Sequence, residues 1–585
     1  MYGSRVWRSA PFAIITCVIR SSLLVALSVA ALQAQPADLV IRNGKIVTME
    51  SSVPEVQALA ARGGKIVAVG TNQQVLAYIG SSTKVIDLSG RLAVPGFIEG
   101  HGHFTSLGAS KMSLNLRDVK NWDQIVAMVA AAAREAKPGT WIIGRGWHQA
   151  KWDPPPSPNV QGFPLHEALS KVSPNNPVWL THASGHAGFA NAEAMRLAGV
   201  DKNTPNPSGG EILKDPQGNP TGLFNEQAQG LIGRALTSYR EHLPLAELAA
   251  EARQQVDLAA RECLSKGITT FQDAGSPLPT VDLLKSLAEE HKLGLRLWVM
   301  LRTSNAILAP NLSKYYTIGA GDDHFTVRAI KRMMDGALGS RGAWMLEPYS
   351  DLPPGTPNSS GLATEDPADI RKTAELAIAN GYQLCVHAIG DRANREVLNI
   401  YQAVFKEHPD KKALRWRIEH AQHIDPADIP RFAELGVIAS MQGIHCTSDA
   451  PFVILRLGPK RAEEGAYVWQ SLMKSGALVT NGTDTPVEDV DPIACFYASV
   501  SRKLKDGSVF FPDQRMSREE ALRSYTVNNA YSAFEESSKG SLAPGKLADV
   551  TVLSKDILTI PEDEIPKAQV DYTIVGGKVM YQRAP

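Results

Sequence analysis

The chain has 585 residues, room for roughly three or four domains at ~100–200 residues each. Its 60 Lys+Arg balance 60 Asp+Glu, with 44% hydrophobic and 21% charged residues; this globular composition excludes a disordered chain, a fibrous repeat and a basic nucleic-acid binder. Five cysteines with no CxxC pair argue against a disulfide scaffold or thiolate zinc site, so any metal would sit on histidine, carboxylate or modified lysine.

Residues 1–34 read as a secretory signal peptide. Arg5, Arg8 and Arg20 come without an acidic partner, and SSLLVALSVAALQAQ supplies a short apolar core and small residues up to Ala34. Arg20 splits the apolar stretch, and neither half reaches the ~20 residues of a spanning helix. The expectation is export, periplasmic or secreted, with no stable membrane span after cleavage. Residues 35–91 read as β, with hairpin signals at Asn43-Gly44, Gly63-Gly64 and Ser89-Gly90. Residues 526–585 return to that style at Ala548–Leu553 and around Gly576-Gly577, which suggests one small sheet domain assembled from both ends.

Between them, residues 92–525 carry eight strand-like runs: Leu92–Ile98, Ile268–Ala274, Leu295–Leu301, Val327–Met333, Tyr382–Ala388, Trp416–Ala421, Val437–Gln442 and Ala477–Asp484. Helical spacing precedes several of them, as at Leu248, Ala252, Val256, Ala259 and Cys263. The alternation fits an α/β fold, a (β/α)8 barrel with a large insertion at about 105–262 after its first strand; an open doubly wound sheet competes.

Barrel active sites form at the C-terminal strand ends. His101 and His103 fall there two apart, on one side of an extended backbone, so both imidazoles reach one cation. Lys331 sits on strand four, His387 ends strand five, His420 strand six and Asp484 strand eight. Each alone has a plain alternative: a core histidine, a turn carboxylate, a strand-edge cation. Together they would converge on one axis, and the histidines and carboxylate among them are ligands that zinc accepts.

PGFIEGHGHF resembles the metal-binding opening of the amidohydrolase superfamily, and IKRMMDGALGSRGA, VHAIGDRAN, RIEHAQHI and GTDTPVED resemble later motifs of its amidohydrolase-3 branch. That branch includes N-substituted formamide deformylases and exoenzyme-regulator-like proteins, and SLAPGKLADVTVL is typical of its close. The resemblance implies a metal-dependent hydrolase on a TIM-type barrel, with a β-sandwich built from residues 35–91 and 526–585. It implies His101 and His103 on the more buried of two ions, His387 and His420 on the second, and Lys331 as a carbon dioxide-derived carbamate bridging them. Asp484 would ligate the first ion and shuttle the proton from water to the leaving nitrogen. One or two divalent cations, zinc foremost, are the expected cofactors. Glu99 departs from the Asp that relatives carry two residues before the first histidine.

The expected substrate is a small molecule with a non-peptide carbon–nitrogen bond: N-acyl, formamide or cyclic amide. The alternatives are ring deamination, ester or organophosphate hydrolysis, and a non-catalytic binding relative. Lys331 leans against the ring deaminases, and the complete ligand set against the binding relative. His186, Trp147 and Gln442 are candidate substrate contacts, although Trp147 equally suits packing within the insertion. EPYSDLPPGTPNSSGL reads as a lid or a plain connector. A homo-oligomer is compatible with the sequence, and nothing reads as a nucleic-acid or nucleotide site.

Overall fold

The computed structural model describes residues 35–149, 152–182, 187–207, 210–339, 341–352 and 360–584. Residues 1–34, expected as a signal peptide, His186 and the centre of the expected lid segment lie outside the described residues.

Eight parallel strands follow one another in spatial order: Phe97–Gly102, Ile268–Ser276, Arg296–Leu301, Phe325–Met333, Gln383–Ala388, Arg417–His420, Ile438–Met441 and Val479–Asn481. Helices cover the outside, so the strands are buried on both faces and read as near-continuous apolar runs. The helix Pro367–Asn380 shows how such an element is bounded. Asp366 caps its start by accepting the Ala368 N–H at 2.8 Å, and Gly381 ends it at φ 71°, a left-handed turn that costs glycine little.

The eighth strand closes on the first just beyond its end. Asp484 N–H donates to His101 O at 2.7 Å, and His103 N–H donates to Thr485 O at 2.8 Å. Gly482 permits the approach, since a Cβ there would stand 2.5 Å from His101 N. The sheet is therefore a (β/α)8 barrel rather than an open doubly wound sheet.

Two sequence readings need correction. Leu92–Ile98, read as one barrel strand, divides at Gly96, where a Cβ would meet Thr269 Oγ1 at 2.2 Å. Leu92–Pro95 instead lies between Lys45–Val47 and Val550–Leu553 in a six-stranded sheet completed by Glu55–Val56, Val570–Val575 and Lys578–Gln582. Asn43-Gly44 and Ser89-Gly90 turn the chain but do not form hairpins: each carries it from a four-stranded sheet (Leu39–Arg42, Ala58–Arg62, Lys65–Gly70, Lys84–Asp87) into the six-stranded one. Gly63-Gly64 and Gly576-Gly577 do close two-residue hairpins. Ile41 and Leu59 of one sheet share an apolar core with Ile46, Ala93, Val550 and Ile574 of the other.

The segment after the first strand holds the helix Trp122–Glu135 and a mixed six-stranded sheet that includes Ile142–Trp147 and Val178–His182. Trp147 is fully buried in its core. Its Nε1–H donates to Leu180 O at 2.9 Å, and its ring packs against Trp152 and Phe189. Packing, not substrate contact, is its role here.

Candidate metal centre

The C-terminal strand ends bring the predicted side chains together. Ligand atoms of His101, His420 and Asp484 lie within 4.8 Å of one another. His103 Nε2 stands 3.2 Å from Asp484 Oδ1, and the His387 ring centroid 4.4 Å from that of His420. Lys331 opens on the same cavity of about 410 Å³, beside His103, His387, His420 and Asp484.

Local backbone makes this convergence. His420 and Asp484 both adopt left-handed conformations, at φ 73° and 56°. Such positions cost a non-glycine residue about 1–3 kcal/mol and persist where surrounding structure fixes them. The twist at His420 and Ala421 lets neighbours Glu419 and His420 both bear on His101, which simple strand alternation forbids.

The imidazoles are oriented from behind. His101 Nδ1 hydrogen-bonds the Glu419 carboxylate, leaving Nε2 3.6 Å from Asp484 Oδ1. His420 Nδ1 donates to Gln442 Oε1 at 2.7 Å, leaving its Nε2 for a cation. Gln442 is buried on that task and does not line the cavity, so its predicted substrate contact gives way to an orienting one. Glu419 is itself clamped by Arg417, Nε to Oε1 at 2.7 Å, and Arg417 also donates to Gln272 Oε1 and Gly100 O. Glu99 takes the Thr483 hydroxyl at 3.0 Å and helps hold the seam between strands eight and one.

Burial dominates the electrostatics. It depresses His101 to about 4 and His387 to about 3, and drives His420 well below its ordinary 6.5, so the imidazoles stay neutral as ligands must. Burial also lowers Lys331, which is 2% exposed and whose side chain makes no hydrogen bond or ion pair among the described residues. Arg332, next to it, instead pairs with Glu365 at 2.6 Å. Burial acts to raise Asp484, but the hydrogen bond from His103 and the nearby imidazoles outweigh it and hold the carboxylate well below its usual range. Burial pushes Glu99 up to about 8.

The donor set fits a cation on direct evidence. Among the described residues, His101 Nε2 and His387 Nε2 are buried without hydrogen-bond partners, and buried polar atoms rarely go unpaired; Asp484 Oδ1, buried beside them, has only His103 Nε2, at 3.2 Å. Residues 84–581 match the model of the amidohydrolase family. The chain belongs to that family. It is accordingly a metal-dependent amidohydrolase. This amidohydrolase is 35% identical over 561 residues to Protein LONG AFTER FAR-RED 3 of Arabidopsis thaliana, spanning 93% of this chain and 92% of that protein. It is 27% identical to the N-substituted formamide deformylase of Arthrobacter pascens, spanning 94% of this chain and 99% of the relative. Among solved structures, an uncharacterized metal-dependent hydrolase from Pyrococcus furiosus superimposes with a TM-score of 0.71 at 26% identity, covering 89% of this chain and 100% of its own.

Sequence reasoning missed Glu419, Arg417 and the cavity residues Arg302, Gln422 and Phe452, and left His445 and Asp449 without roles. RIEH contains the Glu419 signal, a carboxylate beside a ligand histidine, but strand alternation argues against it. Arg341 and Arg456 both grip Asp351, and Arg461 holds the Glu347 and Pro348 carbonyls, so the described flank of the predicted lid is anchored.

Proposed function

We propose that the protein hydrolyses a non-peptide carbon–nitrogen bond, in an N-acyl, formamide or cyclic amide, with one or two divalent cations, zinc foremost. The observation that carries this reading is buried His101 Nε2, without a hydrogen-bond partner among the described residues, 3.6 Å from the buried Asp484 Oδ1 at the mouth of the barrel. His101, His103, His387, His420 and Asp484 would hold the ions. Lys331 would bridge two of them as a carbamate: its burial favours the neutral amine that captures carbon dioxide, and the product supplies the anion this lysine lacks.

When bound, a divalent cation supplies Lewis acidity and lowers the pKa of water towards ~7. Asp484 accepts the proton of the attacking water and delivers it to the leaving nitrogen, turning it into an amine. Glu419 and Gln442 keep the imidazoles aimed. Met333, Leu338, Ile389 and Phe452 give the cavity an apolar wall for the acyl or N-substituent. The formamide deformylase relative supports this substrate class. Residues 1–34, as an export signal, would deliver the enzyme to the periplasm or the medium, where it would meet a small-molecule substrate. The core shared by the two sheets supports a sandwich of residues 35–91 and 526–585 beside a barrel with an insertion at about 105–262.

The test is metal content of the chain expressed from Gln35, joined to a panel of amides and formamides. About two zinc ions per chain, falling together with activity in Lys331→Ala, is the expected result for a bridged centre. One ion would favour a single-metal hydrolase. No ion, even after zinc is supplied, rejects the centre.

A further inference from the structure

The helix Gly443–Leu457 follows the seventh barrel strand and presents His445, Asp449 and Phe452, spaced about a turn apart, to the cavity that holds Lys331, His387, His420 and Asp484. His445 opens this stripe at the metal end. Its ring lies 6.2 Å from that of His420 and within 13° of parallel. It is 7% exposed, and its Nε2 is buried with no hydrogen-bond partner among the described residues. Asp449, by contrast, is occupied, accepting Tyr467 Oη–H at 2.6 Å and Gln422 Nε2–H at 2.8 Å. Nε2 carries the proton in one of the two neutral tautomers and in the charged ring, so it can serve as a hydrogen-bond donor that no acceptor among the described residues engages, beside the proposed water-activating centre.

We infer that His445 is a catalytic hydrogen-bond donor that binds the carbonyl oxygen of the scissile amide and stabilises the oxyanion formed there. This rests on the amide-hydrolase reading above. No proton leaves His445: hydroxide adds to the carbonyl carbon, charge collects on the oxygen facing the imidazole, and collapse expels the nitrogen that Asp484 protonates. Phe452, about two turns further along, then meets the substituent beyond the carbonyl, so the helix face sets the direction in which substrate lies. A preorganised donor to an oxyanion is worth about 10²–10³ in kcat.

The experiment compares wild type, His445→Ala and His445→Gln on N-benzylformamide and N-benzyltrifluoroacetamide, with metal per chain measured in each. We expect His445→Ala to lose about 10²–10³ in kcat on the formamide with KM and metal content little changed. The loss should shrink to about tenfold or less on the trifluoroacetamide, whose carbon needs less polarisation, and His445→Gln, which keeps an N–H, should recover part of it. Titration with an N-benzyl methylphosphonamidate, an anionic tetrahedral mimic, gives a readout independent of turnover; it should bind His445→Ala at least ~10-fold more weakly. Equal losses on both substrates with unchanged mimic binding, or metal lost with the histidine, overturn the assignment. If wild type cleaves neither amide, the amide reading fails and mimic binding alone decides His445.

Discussion

At the scale of single residues, the site combines groups that sequence displays openly with groups it conceals. His101, His103, Lys331, His387, His420 and Asp484 were legible because each ends or lies near the end of an apolar run, and strand ends converge in a barrel. Glu419 was not, and Gln442 was legible only as a substrate contact, because the roles seen here depend on a left-handed kink and a cross-strand neighbour that no local pattern encodes. Asp484 itself sits at φ 56°, where asparagine is among the few residues at ease. Asp484→Asn should therefore keep the fold and melting temperature while lowering kcat by at least ~10³, since the amide cannot carry the proton. Circular dichroism and a single amidase assay test this; activity within tenfold of wild type would remove Asp484 as the proton shuttle.

At the scale of elements, turn chemistry and pairing proved to be separate matters. Gly63, Gly64, Gly576 and Gly577 take positive φ in hairpins, yet Asn43, Ser89 and Gly90 take positive φ where the chain changes sheets. The residues specify a sharp reversal; which strand lies alongside is set by burial on both sides of Ile46 and Ala93, information held hundreds of residues away. One such long-range tie is the fully buried pair at the foot of the third barrel strand. Arg296 Nε and Nη2 donate to Asp549 at 2.8 and 3.1 Å, joining the barrel to the strand Val550–Leu553. Asp549→Ala leaves that guanidinium buried with the Asp322 and Asp323 carbonyls but without its carboxylate, a defect of about 3–5 kcal/mol. Urea unfolding should show the midpoint falling, with metal content per folded chain unchanged. A shift under ~1 kcal/mol would mean the pair is solvated in solution.

At the scale of the molecule, buried titratable groups give stability an optimum in pH. The unfolded chain binds protons near the ordinary histidine value of 6.5, whereas burial holds His101 at about 4 and His387 and His423 at about 3. Their contribution is whole above pH 6.5 and drains away as pH falls towards those folded values. Burial instead raises Glu99 to about 8 and Asp335 to about 7, from ordinary values of 4.5 and 3.8. Theirs is whole below those ordinary values and is lost as pH rises through 7 and 8. More imidazoles than carboxyls titrate between pH 4.5 and 6.5, so the metal-free protein should gain melting temperature across that range and lose some above it. Differential scanning calorimetry after chelation checks this; a melting temperature that climbs steadily to pH 8.5 would contradict it.

The six-stranded sheet also has a consequence in time. Its early strands Lys45–Val47 and Leu92–Pro95 are completed only by strands from Val550 onward, and Lys45 Nζ reaches Asp556 Oδ2 across 511 positions of chain. On a ribosome adding ~5–20 residues per second, that delay is on the order of half a minute to two minutes. Through it, Lys45–Val47 has Glu55–Val56 and Leu92–Pro95 beside it, but the other edge of Leu92–Pro95, which Val550–Leu553 will cover, stays open to any other chain it meets. The late-made strands therefore act as the latch on the early ones, and a nascent chain kept unfolded by a chaperone until release avoids the interval in which this sheet is most prone to aggregate.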